Sequence, residues 1–145
     1  MTRRLFVACL GSIAYAETVY RALALWKNIY ERLTGPDGRE YFESSMKDAL
    51  VPDGANGVRY FDATLISAEP PDRPSTLLVS VVDHRTPDAM LRLKSNSGRK
   101  LYLRVKPKTG ARIQFEGIAK EFSAAPFMVT FDVRLEQIKG LELDK

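Results

Sequence analysis

One histidine and one cysteine leave this chain short of the side chains on which most catalysis and metal binding depend. Cys9 alone permits no intrachain disulfide. With His84 as the only imidazole, the usual nitrogen and sulfur ligand sets for zinc cannot be assembled, so no metal is expected. No P-loop or dinucleotide glycine pattern occurs, since Gly35-Pro36-Asp37-Gly38 has turn chemistry, and no cofactor is expected. No apolar run approaches the roughly 20 residues that cross a bilayer, which argues against a transmembrane helix. The formal charge is only +4, so any affinity for polyanions has to come from how the basic residues are arranged. Asp83-His84, with Ser80, Thr86 and Asp88 nearby, supplies the residue types of a hydrolytic triad, but no G-x-S-x-G nucleophile motif accompanies them. A polar turn explains the same residues, and the expectation is a protein that is not an enzyme.

What the chain does contain is a change of period. At 145 residues it can hold one packed domain with a helical appendage. From Glu17 to Leu33 the residues Val19, Leu23, Trp26, Tyr30 and Leu33 repeat at helical spacing, and Thr34-Gly35-Pro36-Asp37-Gly38 ends the helix. Tyr41, Phe42, Met46, Ala49 and Leu50 predict a second helix, closed by Pro52-Asp53-Gly54. Residues 17–55 are therefore expected to form a helical hairpin. After Asn56-Gly57 the pattern alternates. Phe61, Ala63 and Leu65 face inward on one strand, Leu77, Val79 and Val81 on the next, then Leu91 and Leu93, then Leu101, Leu103 and Val105, then Ile113 and Phe115. Phe127, Val129, Phe131 and Val133 do so on the last strand, and Gly117 suits a sharp bend in a curled sheet. The expected fold is α+β: a helical hairpin followed, over residues 57–143, by a small antiparallel β-barrel.

Residues 1–16 carry two readings. Arg3 and Arg4, an apolar stretch and Ala14-Tyr15-Ala16 before Glu17 have the order of a secretory signal peptide. Leu5, Cys9, Ile13, Ala16 and Tyr20 also recur at helical spacing, as the start of the first helix would. The signal reading is preferred, which makes the expected location periplasmic or secreted ahead of cytoplasmic. A lipoprotein signal on Cys9 is poorer, because Phe6 stands where such a signal has Leu.

Ala89 to Phe115 holds eight basic residues and no acidic one. Alternation sends Arg92, Lys94, Lys100, Tyr102, Arg104, Lys106 and Arg112 to the outer surface, as a cationic face with one tyrosine. Such a face neutralises phosphates while the ring stacks on a base. A solvated outer face that keeps strand edges apart explains the same charges. The partner expected for an exported chain is a protein or an acidic polymer, and for a cytoplasmic chain a single-stranded nucleic acid.

Lys106-Pro107-Lys108-Thr109-Gly110-Ala111-Arg112-Ile113-Gln114-Phe115-Glu116-Gly117, following a long first strand and two further strands across a loop, resembles the oligonucleotide/oligosaccharide-binding (OB) fold. Phe115-Glu116-Gly117-Ile118-Ala119-Lys120-Glu121-Phe122, with Pro126-Phe127-Met128, is similar to an uncharacterised bacterial module at the C-terminal end of exported tetratricopeptide-repeat proteins. That resemblance covers Gly38 to Leu143. The helical segment is similar to a single tetratricopeptide unit, with Trp26, Ile29, Leu33 and Ala49 near the expected places, but Tyr30 stands where that repeat has Gly. The resemblance implies a binding module and transfers no catalytic residue.

Overall fold

The computed structural model describes residues 2–54 and 57–142, with side chains from residue 17 onward. The stripe expected of Leu5, Cys9, Ile13 and Ala16 therefore lies outside the described side chains, as do Asn56 and Leu143 at the expected boundaries. The architecture is α+β. A long helix α1 (Thr2–Thr34) is followed by a short helix α2 (Gly38–Tyr41), which widens into a π turn over Phe42–Met46. Among the described residues eight strands follow: β1 (Leu50–Val51), β2 (Phe61–Glu69), β3 (Thr76–Ser80), β4 (Ala89–Lys94), β5 (Arg112–Phe115), β6 (Gly117–Ala124), β7 (Phe127–Arg134) and β8 (Ile138–Lys139).

α1 buries Ala22, Trp26, Ile29 and Leu33, spaced four, three and four apart. The predicted stripe shares Trp26 and Leu33 with this set but runs through Tyr30, which is 46% exposed. Steps of three and of four are both allowed on a helix, so periodicity alone cannot choose between Ile29 and Tyr30. The second arm of the expected hairpin starts and stops earlier than predicted. It ends at Met46, and Leu50 enters the sheet by pairing with Ile118. Its Phe42 ring packs on Phe122 of β6 at 5.0 Å. The two arms approach so closely that a Cβ on Gly38 would collide with the Leu33 carbonyl.

The strands form one barrel-like mixed sheet in the order β1-β6-β7-β4-β3-β2-β5-β8. β2, β3 and β4 make an antiparallel meander. The wholly antiparallel expectation fails at one joint: β4 and β7 run parallel, with Leu91 beside Phe131 and Arg92 beside Asp132. Alternation reports which side a residue faces and is blind to strand direction. β5 and β6 are separated only by Glu116, and this continuous stretch pairs with β2 through its first part and with β7 through its second. The change of neighbour occurs at Gly117, where a Cβ would come within 2.7 Å of Val133 Cγ2 and 3.0 Å of Phe131 Cβ. Only glycine lets the backbone pass so close to β7.

The inward sets are buried largely as the alternation demands: Phe61, Ala63 and Leu65; Leu77, Val79 and Val81; Leu91 and Leu93; Ile113 and Phe115; Val129, Phe131 and Val133. Phe115 lies 5.6 Å from Phe61 and 5.5 Å from Phe131. Trp26 of α1 reaches the same cluster, 5.0 Å from Phe61 and 6.2 Å from Phe131, so the helix covers one end of the sheet.

Candidate functional site

The basic window begins on β4 and leaves it. Past Lys94 the chain reverses through a tight turn in which Ser95 N–H donates to the Arg99 carbonyl at 2.8 Å and Gly98 takes a positive φ of 83°. It then runs back with Leu101 N–H on the Leu93 carbonyl at 3.0 Å and Leu103 N–H on the Pro74 carbonyl at 2.7 Å. The expected strand through Leu101, Leu103 and Val105 is instead an extended segment with one isolated bridge, Lys94 to Lys100. The reason is occupancy: β7 takes one edge of β4 and β3 the other as far as Arg92, so the returning segment can bond β4 only at Leu93 and Lys94. The alternation survives. Leu103 is buried, Leu101 and Val105 are half-buried, and Lys100, Tyr102, Arg104 and Lys106 are exposed.

The seven predicted residues divide into three groups. Lys94, Lys100, Tyr102, Arg104 and Lys106 follow one another along the end of β4 and the returning segment. No carboxylate among the described residues lies within 4.0 Å of these four cations. Arg92, by contrast, is engaged within the sheet: its Nε donates to Asp132 Oδ1 at 2.9 Å, and Glu121 lies 4.0 Å away. Arg112 stands on β5, three strand intervals from β4, or about 14 Å across the sheet. It is exposed and outside the first group.

Sequence reasoning missed Arg73. This residue, in the proline-rich loop between β2 and β3, brings its guanidinium 5.4 Å from the centre of the Tyr102 ring. The Leu103 to Pro74 hydrogen bond holds the two segments together, and no local pattern foretells it. Lys94 also lies in register with Arg134 of β7, whose guanidinium is paired with Glu136 at 3.3 Å.

The residues that suggested a triad build a turn. Asp83 Oδ1 accepts from Ser80 Oγ at 2.9 Å and from the Arg85 and Thr86 N–H groups at 2.8 Å each. The Thr86 and Arg85 backbone donors and the Ser80 hydroxyl hold its carboxyl well below the usual range. His84 sits at a positive φ of 61° and bonds through Nδ1 to Thr64 Oγ1 at 2.8 Å. Its ring is thus tied to β2, and Ser80 donates to Asp83 with no imidazole between them. Among the described residues no group of three His, Cys, Asp or Glu could hold a metal ion, and no helix is long and apolar enough to cross a membrane.

Asp88 closes the same loop, accepting from Val81 N–H at 2.8 Å and Val82 N–H at 3.2 Å. Burial pushes its carboxyl upward against the opposing pull of these donors. The Trp26 indole N–H is close enough to pull in the same sense as the backbone donors, yet it is buried with no acceptor within hydrogen-bond distance.

No protein-family model, curated protein or solved structure matches this chain.

Proposed function

We propose that this protein is a non-enzymatic binding module with an OB-like barrel, exported from the cell, whose acidic partner meets the surface around Tyr102. The observation that carries the reading is the Tyr102 ring, 43% exposed, with the Arg73 guanidinium over it and Lys100 and Arg104 beside it, none of these cations having a carboxylate within 4.0 Å among the described residues. Cations with no internal partner lose little when an external anion arrives, and the ring adds an apolar face to the contact. The OB-like reading is supported by the meander β2-β3-β4, the parallel joint of β4 with β7, and the single bent stretch shared between β2 and β7. Such barrels bind along the face of their second and third strands, here β3 and β4, which is where the basic window starts. The likeness of Phe115–Phe122 and Pro126-Phe127-Met128 to the module of exported tetratricopeptide-repeat proteins favours an acidic glycan or protein surface as partner.

A second reading, a cytoplasmic single-strand nucleic-acid binder, uses the same surface, with the exposed ring of Tyr102 stacking on a base. Mass determination of the native N-terminus separates the two: Glu17 supports export, and Met1 or Thr2 supports the cytoplasmic protein. Titration with poly-dT, single-stranded RNA and an acidic glycan across a salt series tests the surface itself. Arg104→Ala with Lys106→Ala should flatten the log–log salt slope by about 0.7 for each phosphate that is no longer neutralised. Tyr102→Ala should weaken binding to a single strand by about 1–3 kcal/mol at unchanged slope, because stacking displaces no ions. Absence of binding to all three at low salt sinks the proposal and leaves the charges as a solvated surface.

A further inference from the structure

At the opposite end of β4 from the Tyr102 surface, about 17 Å along the strand, lies a groove of a different character. It holds about 620 Å³ between α1, the loop joining β3 to β4, and the turn joining β6 to β7. That volume is in the range of about 300–1,000 Å³ typical of small-molecule clefts. Its aromatic wall is Trp26, Tyr30 and Phe127. Tyr30 and Phe127 meet edge to face with centroids 4.8 Å apart, and Trp26 meets Phe127 edge to face at 6.1 Å. Tyr30 and Val82 leave 46% and 42% of their surface uncovered at this groove.

Its charge runs against that of the chain. The protein carries +4, yet the groove is lined by three carboxylates, Glu31, Asp83 and Asp88, against one cation, Lys27. No ion pair within 4.0 Å joins Lys27 to any of them among the described residues. Asp88 is half-buried, held by two backbone N–H groups, and has no cationic partner among the described residues. An anion entering here meets three carboxylates. A neutral apolar molecule covers the rings and leaves the charge unpaired.

We infer that this groove is a binding site for an organic cation, an ammonium or guanidinium on an apolar stem. The cation pairs with Asp88 and Glu31 and is drawn to the negative faces of the Tyr30 and Phe127 rings, and the stem covers Tyr30 and Val82. This site is independent of the Tyr102 surface and stands or falls separately.

Trp26 is the only tryptophan, so its fluorescence reports the groove directly. The full-length protein is titrated with benzoyl-arginine amide, its neutral isostere benzoyl-citrulline amide, and the anionic benzoyl-glutamate amide. All three share the ring and the carbonyl acceptors. The arginine compound should give a saturable change, with the citrulline compound at least about tenfold weaker and the glutamate compound without effect. Glu31→Gln and Tyr30→Leu, both on the exposed side of α1, should each weaken the arginine compound several-fold and leave the citrulline compound unchanged. Because Asp88 also holds the loop, these two variants carry the test in its place. Equal binding of the arginine and citrulline compounds, tighter binding of the glutamate compound, or no response to the arginine compound at millimolar concentration overturns the inference.

Discussion

Replacing Arg92 by methionine should weaken the fold and spare the binding surface, the reverse of what replacing Arg104 should do. Arg92 and Asp132 are in register across the parallel joint of β4 and β7, and their side chains are 36% and 23% exposed, with a hydrogen-bonded contact of 2.9 Å. Fully exposed ion pairs are worth about 0.2–1 kcal/mol. Partial burial and the hydrogen bond put this one near the top of that range, and Glu121, at 4.0 Å and mostly exposed, adds little. Methionine keeps most of the apolar stem and leaves Asp132 half-buried without its cation, for a total loss of about 1 kcal/mol. In a chain of this size that lowers Tm by about 3–5 °C. Urea denaturation of Arg92→Met, Asp132→Asn and the double variant should give a coupling energy of about 1 kcal/mol, while the salt slope of polyanion binding stays at the wild-type value. An Arg92→Met protein of undiminished stability whose slope falls by about 0.7 would refute the reasoning, because the guanidinium would then be serving the ligand.

Gly117→Ala should destabilise the fold by about 1–3 kcal/mol in chemical denaturation, because the new methyl meets Val133, Phe131 and the Asp132 carbonyl where the chain changes partners. Leu103→Ala should cost about 2–3 kcal/mol and also weaken polyanion binding, since the buried leucine pins the segment that displays Tyr102 and Arg104; unaltered binding would separate the two effects. The depressed Asp83 carboxyl stabilises the turn in full above the ordinary aspartate value of 3.8 and loses that contribution as pH falls from there through the lower folded value. Stability of the Asp83→Asn variant, followed by circular dichroism against pH, should therefore lie below wild type at neutral pH and converge with it in acid.

Strand alternation carried most of the core because each inward set faces one shared interior, and a residue such as Phe131 or Leu91 has only two sides to choose between. Helix α1 was harder to orient, since Trp26 belongs equally to a stripe through Ile29 and to one through Tyr30, and only the position of the sheet selects the first. The direction of β7 and the demotion of Leu101–Val105 from strand to returning segment are both decided by which edges are already filled, which no window of sequence contains. The same limit applies at the candidate site. Lys100, Tyr102 and Arg104 could be placed on one surface from their spacing, but Arg92 meets Asp132 forty positions away and Arg73 meets Tyr102 across two loops. The groove at Trp26 was invisible for the same reason, being made by α1 and two turns distant from it in the chain.

The parallel joint between β4 and β7 also governs how the chain can assemble. Among the described residues it is the only hydrogen-bonded ladder linking β2, β3, β4, β5 and β8 to β1, β6 and β7. The meander of β2 to β4 closes through short loops and can form early, but the joint brings together segments some forty residues apart and must wait for Phe127–Arg134. Until then β4 presents an open edge bearing Leu91 and Leu93, the sort of edge that recruits strands from other chains. A nascent or truncated chain that stops short of Phe127 is therefore the aggregation-prone form of this protein, and its last strands act as the stopper on an edge made long before them.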